Sequence, residues 1–104
     1  MLPGKQTPSS QSAKLVELAK IDLAGRLSIP TDQIILIDAR AVVWSDSSLG
    51  CPQPGMFYTE VLTPGYLILL EANGQEYEYH SGKSSEVFLC ENPSPPVPGI
   101  PGDV

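Results

Sequence analysis

The sequence predicts an α+β domain, with one N-terminal helix packed on a curved antiparallel sheet of four to five strands. Three observations carry this. Apolar residues recur at helical spacing from Ser12 to Leu27. Downstream, short β-branched and aromatic runs dominate. Two of those runs flank Asn73-Gly74, a strong two-residue hairpin signal. The chain's 104 residues fit one domain with one modest core.

The helix comes first. Leu15, Val16, Ala19, Leu23 and Leu27 form a stripe about 120° wide at 3.6 residues per turn, and Lys14, Glu17 and Gly25 lie away from it. Ser10 or Ser12 is expected to cap its start, and Pro30 bars it from continuing past Ser28. Gln33 to Trp44 reads as one long bent strand, or as two strands joined near Asp38. Ile35, Ile37, Ala39, Ala41 and Val43 share one face, and Ile34, Leu36, Asp38, Arg40, Val42 and Trp44 share the other. Phe57 to Leu62 is expected to be a strand, followed by a type II turn at Thr63-Pro64-Gly65. The hairpin Tyr66 to Ala72 and Gln75 to His80 sets Leu70 opposite Tyr77 and Ile68 opposite Tyr79, facing the core. Its other face pairs Leu67 with His80, Leu69 with Glu78 and Glu71 with Glu76, and the facing acids imply solvent. A last short strand, Val87 to Cys90, follows a Gly82-Lys83-Ser84-Ser85 loop.

The ends differ in composition. Residues 1–11 are rich in Pro, Ser, Gln and Gly and are expected to be flexible, leaving 12–90 as the folded domain. Residues 91–104 hold five prolines and are expected to form a disordered, extended tail. Such a tail fits a linker, or a ligand for a proline-reading partner at Pro93-Ser94-Pro95-Pro96.

Charge narrows the partners. Six basic residues against twelve acidic ones give a net charge of −6, with no Lys or Arg cluster, so nucleic acid and anionic membranes are disfavoured. The apolar runs Ile34 to Ile37 and Leu67 to Leu70 are too short for membrane insertion, and Met1-Leu2-Pro3-Gly4-Lys5 leads into polar residues rather than a signal-peptide core.

The two cysteines, Cys51 and Cys90, match no C-x-x-C redox or zinc pattern. A disulfide between them implies an oxidising compartment: periplasm, thylakoid lumen or exterior. The alternative is two buried reduced thiols acting as small hydrophobes.

The segment Ser45 to Met56, SDSSLGCPQPGM, is longer than most strand connections. Leu49, Pro52, Pro54 and Met56 are unusual in a polar loop. Stapled at Cys51 and stiffened by proline, the segment fits a preorganised binding loop bounded by Asp46, of the kind protease inhibitors use. The competing reading is a structural Ω-loop over a sheet edge. An enzyme would pair Cys51 as nucleophile with His80, oriented by Asp46 or Glu78. It requires Cys51 to be a free thiol. A metal site would need Cys51, His80 and Cys90 with a carboxylate, at spacings that match no zinc pattern. Glu76 and Glu78 alternate along a strand as a solvated face. No cofactor motif is present.

The run W-S-D-S-S-L-G-C-P-Q-P-G-M from Trp44, then T-P-G-Y, Y-E-Y-H and a closing L-C at Cys90, resembles a family of small uncharacterised bacterial domains of cyanobacterial type. The resemblance implies a shared fold and loop and an exported protein, and it transfers no catalytic residue.

The reading is a non-enzymatic, extracytoplasmic domain that binds a protein or peptide through residues 45–56. A small Cys51/His80 enzyme and a purely structural accessory domain are the alternatives.

Overall fold

The computed structural model describes residues 10–83 and 86–98. Outside this range lie residues 1–9 of the expected flexible segment, Ser84 and Ser85 of the expected loop, and residues 99–104 of the expected tail.

Helix α1 spans Ser10–Leu27. Leu15, Ala19 and Leu23 are fully buried, with Val16 and Ala24 beside them, so the apolar stripe is the docking face. The helix ends in a Schellman closure. Ser28 takes a left-handed φ of 57°, and the Ile29 N–H donates to the Ala24 carbonyl at 3.1 Å. Ile29 then packs against the core, and Pro30 follows. A 3-10 turn, Thr31–Gln33, leads into the sheet.

The four strands are β1 (Ile35–Trp44), β2 (Thr63–Ala72), β3 (Gln75–Ser81) and β4 (Phe88–Leu89). They form an open antiparallel meander in the order β1-β2-β3-β4. The β2–β3 register places Leu70 opposite Tyr77, Ile68 opposite Tyr79 and Leu67 opposite His80, as the two-residue loop dictates. Asn73 (φ 55°) and Gly74 (φ 77°) are both left-handed, as a type I′ turn requires.

The main core lies between α1 and one sheet face, where Ile68, Leu70, Ala72 and Tyr79 meet Leu15, Ala19 and Leu23. The Tyr79 hydroxyl donates to Asp22 Oδ2 at 2.7 Å, and Arg26 Nε donates to the same oxygen at 2.6 Å. Burial pushes the Asp22 carboxyl upward, but the hydrogen bonds from Arg26 and Tyr79 outweigh it and hold it below its ordinary range. Burial, then the bond to Asp22, drives the Tyr79 phenol upward.

Four expectations change. Residues 57–62 are not a strand: the Val61 N–H turns back to the Thr59 carbonyl at 3.0 Å, closing a three-residue turn that breaks any ladder. Thr63-Pro64-Gly65 is the start of β2 rather than a turn. The type II geometry belongs to Pro54-Gly55, where Gly55 has φ 81° and the Met56 N–H reaches the Gln53 carbonyl at 3.2 Å. In β1 a bulge between Leu36 and Asp38 breaks the alternation, so Ile35, Leu36 and Ile37 are all exposed while Val42 and Trp44 are buried. Finally, the second sheet face is solvated only near the hairpin. At its far end Leu67 and His80 are buried with Val42 and Trp44 in a second small core.

Candidate functional site

The second core seats the loop. Trp44 on β1 and His80 on β3 stack across β2, with ring centroids 4.3 Å apart. The indole passes over Gly65, where a Cβ would come 2.7 Å from Trp44 Nε1, and Nε1 donates to the Ser81 carbonyl at 2.9 Å. Only glycine at position 65 permits this crossing.

Residues 45–51 fold back onto that pair. The Asp46 carboxylate accepts from the Ser48 N–H at 2.9 Å and the Ser48 hydroxyl at 2.6 Å, an Asx-type turn. The Leu49 N–H reaches the Asp46 carbonyl, and the Cys51 N–H the Ser48 carbonyl. Leu49 (φ 58°) and Gly50 (φ 74°) reverse the chain. Leu49 then packs against the second core, and Gly50 rests on Trp44, where a Cβ would lie 2.6 Å from Cε3.

His80 fixes the turn from below. It is fully buried, and its Nδ1 donates to the Leu49 carbonyl at 2.7 Å, since a carbonyl can only accept. Its Nε2 lies 2.6 Å from Glu78 Oε2, within hydrogen-bond distance. His80 lies on the sheet face expected to meet solvent, yet it is buried, because the loop covers the strand end. Glu78 is correspondingly half-buried and paired rather than part of a solvated face.

Cys51 and Cys90 form a disulfide, with Cα atoms 5.7 Å apart, and no free cysteine occurs among the described residues. The thiolate that the Cys51/His80 enzyme requires is absent, and both nitrogens of His80 are taken by the chain itself. No group of three His, Cys, Asp or Glu side chains is placed to hold a metal among the described residues.

The expected contact residues therefore divide. Asp46, Leu49 and Cys51 are anchors. Pro52, Pro54 and Met56 are exposed. Pro52 and Pro54 line a small pocket of about 200 Å³ with Leu89, Glu91 and Asn92. The exposed apolar surface continues past the expected boundary: Phe57 is 98% exposed, Met56 60%, Val61 53% and Leu62 57%. This stretch is braced, not loose. Ser47 and Thr59 exchange two hydrogen bonds, Ser47 N–H to the Thr59 carbonyl and Thr59 N–H to Ser47 Oγ, and the Gln53 N–H donates to the Tyr58 hydroxyl. Residues 57–62 read as a strand because their β propensity is high. The Pro54-Gly55 pair is a type II turn signal just before Met56, and it lies in a stretch that is out of the sheet from the end of β1 at Trp44 to the start of β2 at Thr63.

Residues 91–98 also reach the loop. The Ser94 N–H donates to the Gly50 carbonyl at 2.8 Å, and the Val97 N–H to the Val43 carbonyl at 2.9 Å. No helix among the described residues is long and apolar enough to cross a membrane.

A family model described as a domain of unknown function (DUF8738) matches residues 16–90, which reach from within α1 to the second cysteine. No curated protein and no solved structure matches the chain.

Proposed function

This chain belongs to that family of unknown function, and on this footing we propose that it is a non-enzymatic, extracytoplasmic bacterial domain that binds a protein or peptide. The contact surface is the outer part of the disulfide-braced loop, from Pro52 through Leu62, rather than its Leu49 turn. One observation carries the reading: Phe57, 98% exposed, stands beside exposed Met56 in a segment pinned at Ser47–Thr59. Leaving a phenylalanine in water gains nothing for the fold, whereas a fixed apolar projection loses little entropy on binding. The disulfide favours an oxidising compartment.

The test compares capture from the native extract by the wild type and by Phe57→Asp. Because Phe57 is almost wholly exposed, the variant should keep the wild-type unfolding midpoint and lose the partner. Equal capture by both rejects the surface.

Protease inhibition is the sharper form of this reading, favoured by an aromatic side chain projecting from a braced segment. It expects stoichiometric inhibition of a protease that cleaves after aromatic residues. Rapid cleavage after Phe57 without inhibition removes it.

A further inference from the structure

A different surface supports a separate interaction. We propose that two copies of this chain pair through β1, antiparallel about a two-fold axis at Ala39, joining their sheets into one.

Strand β1 is outermost, hydrogen-bonded to β2 on one side. Its other edge carries no backbone hydrogen bond from residue 35 to residue 41 among the described residues. An open edge of this length is a template for another strand. The side chains beside it are apolar and wet: Ile35 is 56% exposed, Leu36 40% and Ile37 44%.

The direction of the backbone groups can be read from two residues. Val43 lies opposite Pro64, which has no N–H to offer, and its carbonyl instead accepts from Val97 on the outer side. Strand alternation then turns the polar groups of Ala41 and Ala39 to the same outer edge. An antiparallel partner centred on Ala39 finds Ala39 in a hydrogen-bonding position, where the two copies exchange N–H to carbonyl bonds. The neighbours Asp38 and Arg40 then occupy the non-hydrogen-bonded positions, where side chains approach most closely.

The charges select this register. About Ala39, Asp38 of each copy faces Arg40 of the other, giving two ion pairs. A two-fold at residue 38 would set aspartate against aspartate, and one at residue 40 arginine against arginine. In the free chain Asp38 and Arg40 contact each other at 3.3 Å with both side chains about half exposed, so they are available to exchange partners. The contact is self-complementary, as a two-fold interface must be. It also has limits at both ends. The bulge at Ile37 stops the ladder on one side, and Val97, already bonded to Val43, stops it on the other. The opposite sheet edge offers no equivalent, because β4 has only two residues and leads directly into the disulfide.

Sedimentation of the full chain over a concentration series tests this. The wild type should pass from monomer to dimer as concentration rises. Arg40→Asp places four acids at the axis and should weaken the dimer at least tenfold, as should Asp38→Arg by placing four bases there. The double exchange Asp38→Arg with Arg40→Asp should restore it, since the pairing is symmetric. Both substituted positions are exposed, and each variant's unfolding midpoint should match the wild type. A wild type that stays monomeric throughout overturns the proposal. So does a dimer indifferent to the single variants, or one not restored by the exchange. A dimer that appears only after truncation beyond Val97 also overturns it, by showing that the chain's own tail occupies the edge.

Discussion

Trp44 and His80 lie face to face with ring planes 24° apart, although β2 separates the strands that carry them. The imidazole connects three things at once: the indole, the Leu49 carbonyl and the Glu78 carboxylate. His80→Ala would leave a carbonyl and a carboxylate without partners and a void beside Trp44. The expected loss is about 3 kcal/mol. Glu78→Gln keeps a hydrogen-bonding partner for Nε2 and should cost about 1 kcal/mol. Chemical denaturation of both variants checks the ranking; equal losses would place the stabilisation in the His80–Glu78 contact rather than in the stack.

Gly50 and Gly74 separate backbone strain from steric contact. Both have positive φ, 74° and 77°. Nothing lies within 4 Å of a Cβ at Gly74, while one at Gly50 would meet the Trp44 ring. Gly74→Ala should therefore cost about 1 kcal/mol, the left-handed penalty alone. Gly50→Ala adds an overpacked core and should cost about 3 kcal/mol. Matching unfolding midpoints for the two would refute the close seat of Gly50 on the indole.

The helix stripe makes a simpler prediction. Leu23 is fully buried and Ile21 is 58% exposed two residues away. Leu23→Ala should cost roughly 2–5 kcal/mol, and Ile21→Ala should fall within about 0.5 kcal/mol of the wild type.

Acid stability should depend on Asp22. Its carboxyl is held below the ordinary value by Arg26 and Tyr79 against the opposing effect of burial. A group whose folded pKa is depressed stabilises the fold above its unfolded pKa, and that contribution fades as pH falls through the folded value. The contribution is thus complete above the ordinary carboxylate range and lost on acidification below about pH 4. Asp22→Asn should flatten that part of the stability profile and leave its shape near neutral pH unchanged. Thermal melts between pH 2 and pH 7 decide it.

The disulfide closes residues 51–90, and its removal should cost roughly 4 kcal/mol by loop entropy. Cys51→Ser with Cys90→Ser should lower the midpoint accordingly while α1 and the Asn73-Gly74 hairpin still form.

Local signals were the ones legible in the sequence. The α1 stripe, the type I′ turn and the β2–β3 register each rest on residues a few positions apart. The seat of the loop does not: Leu49 and His80 are 31 positions apart, and they meet only because Leu49, a leucine, adopts a left-handed φ that its type does not announce. The misplaced strand at residues 57–62 has a similar origin. Its residues favour β structure, but strand formation needs a partner edge, and Val61 bonds back to Thr59 instead. A bend near Asp38 was legible, but not that a bulge makes it, so the exposure of three successive apolar residues appeared only with the register to β2.

Trp44 is the chain's one tryptophan, and it sits under the loop rather than under α1. The protein therefore carries a spectroscopic label confined to one of its two cores. Indole emission, which moves to longer wavelength on contact with water, would follow the unseating of residues 45–51, while far-ultraviolet dichroism would follow α1. Any interval between the two signals on heating would measure how far the loop can open before the rest of the domain follows.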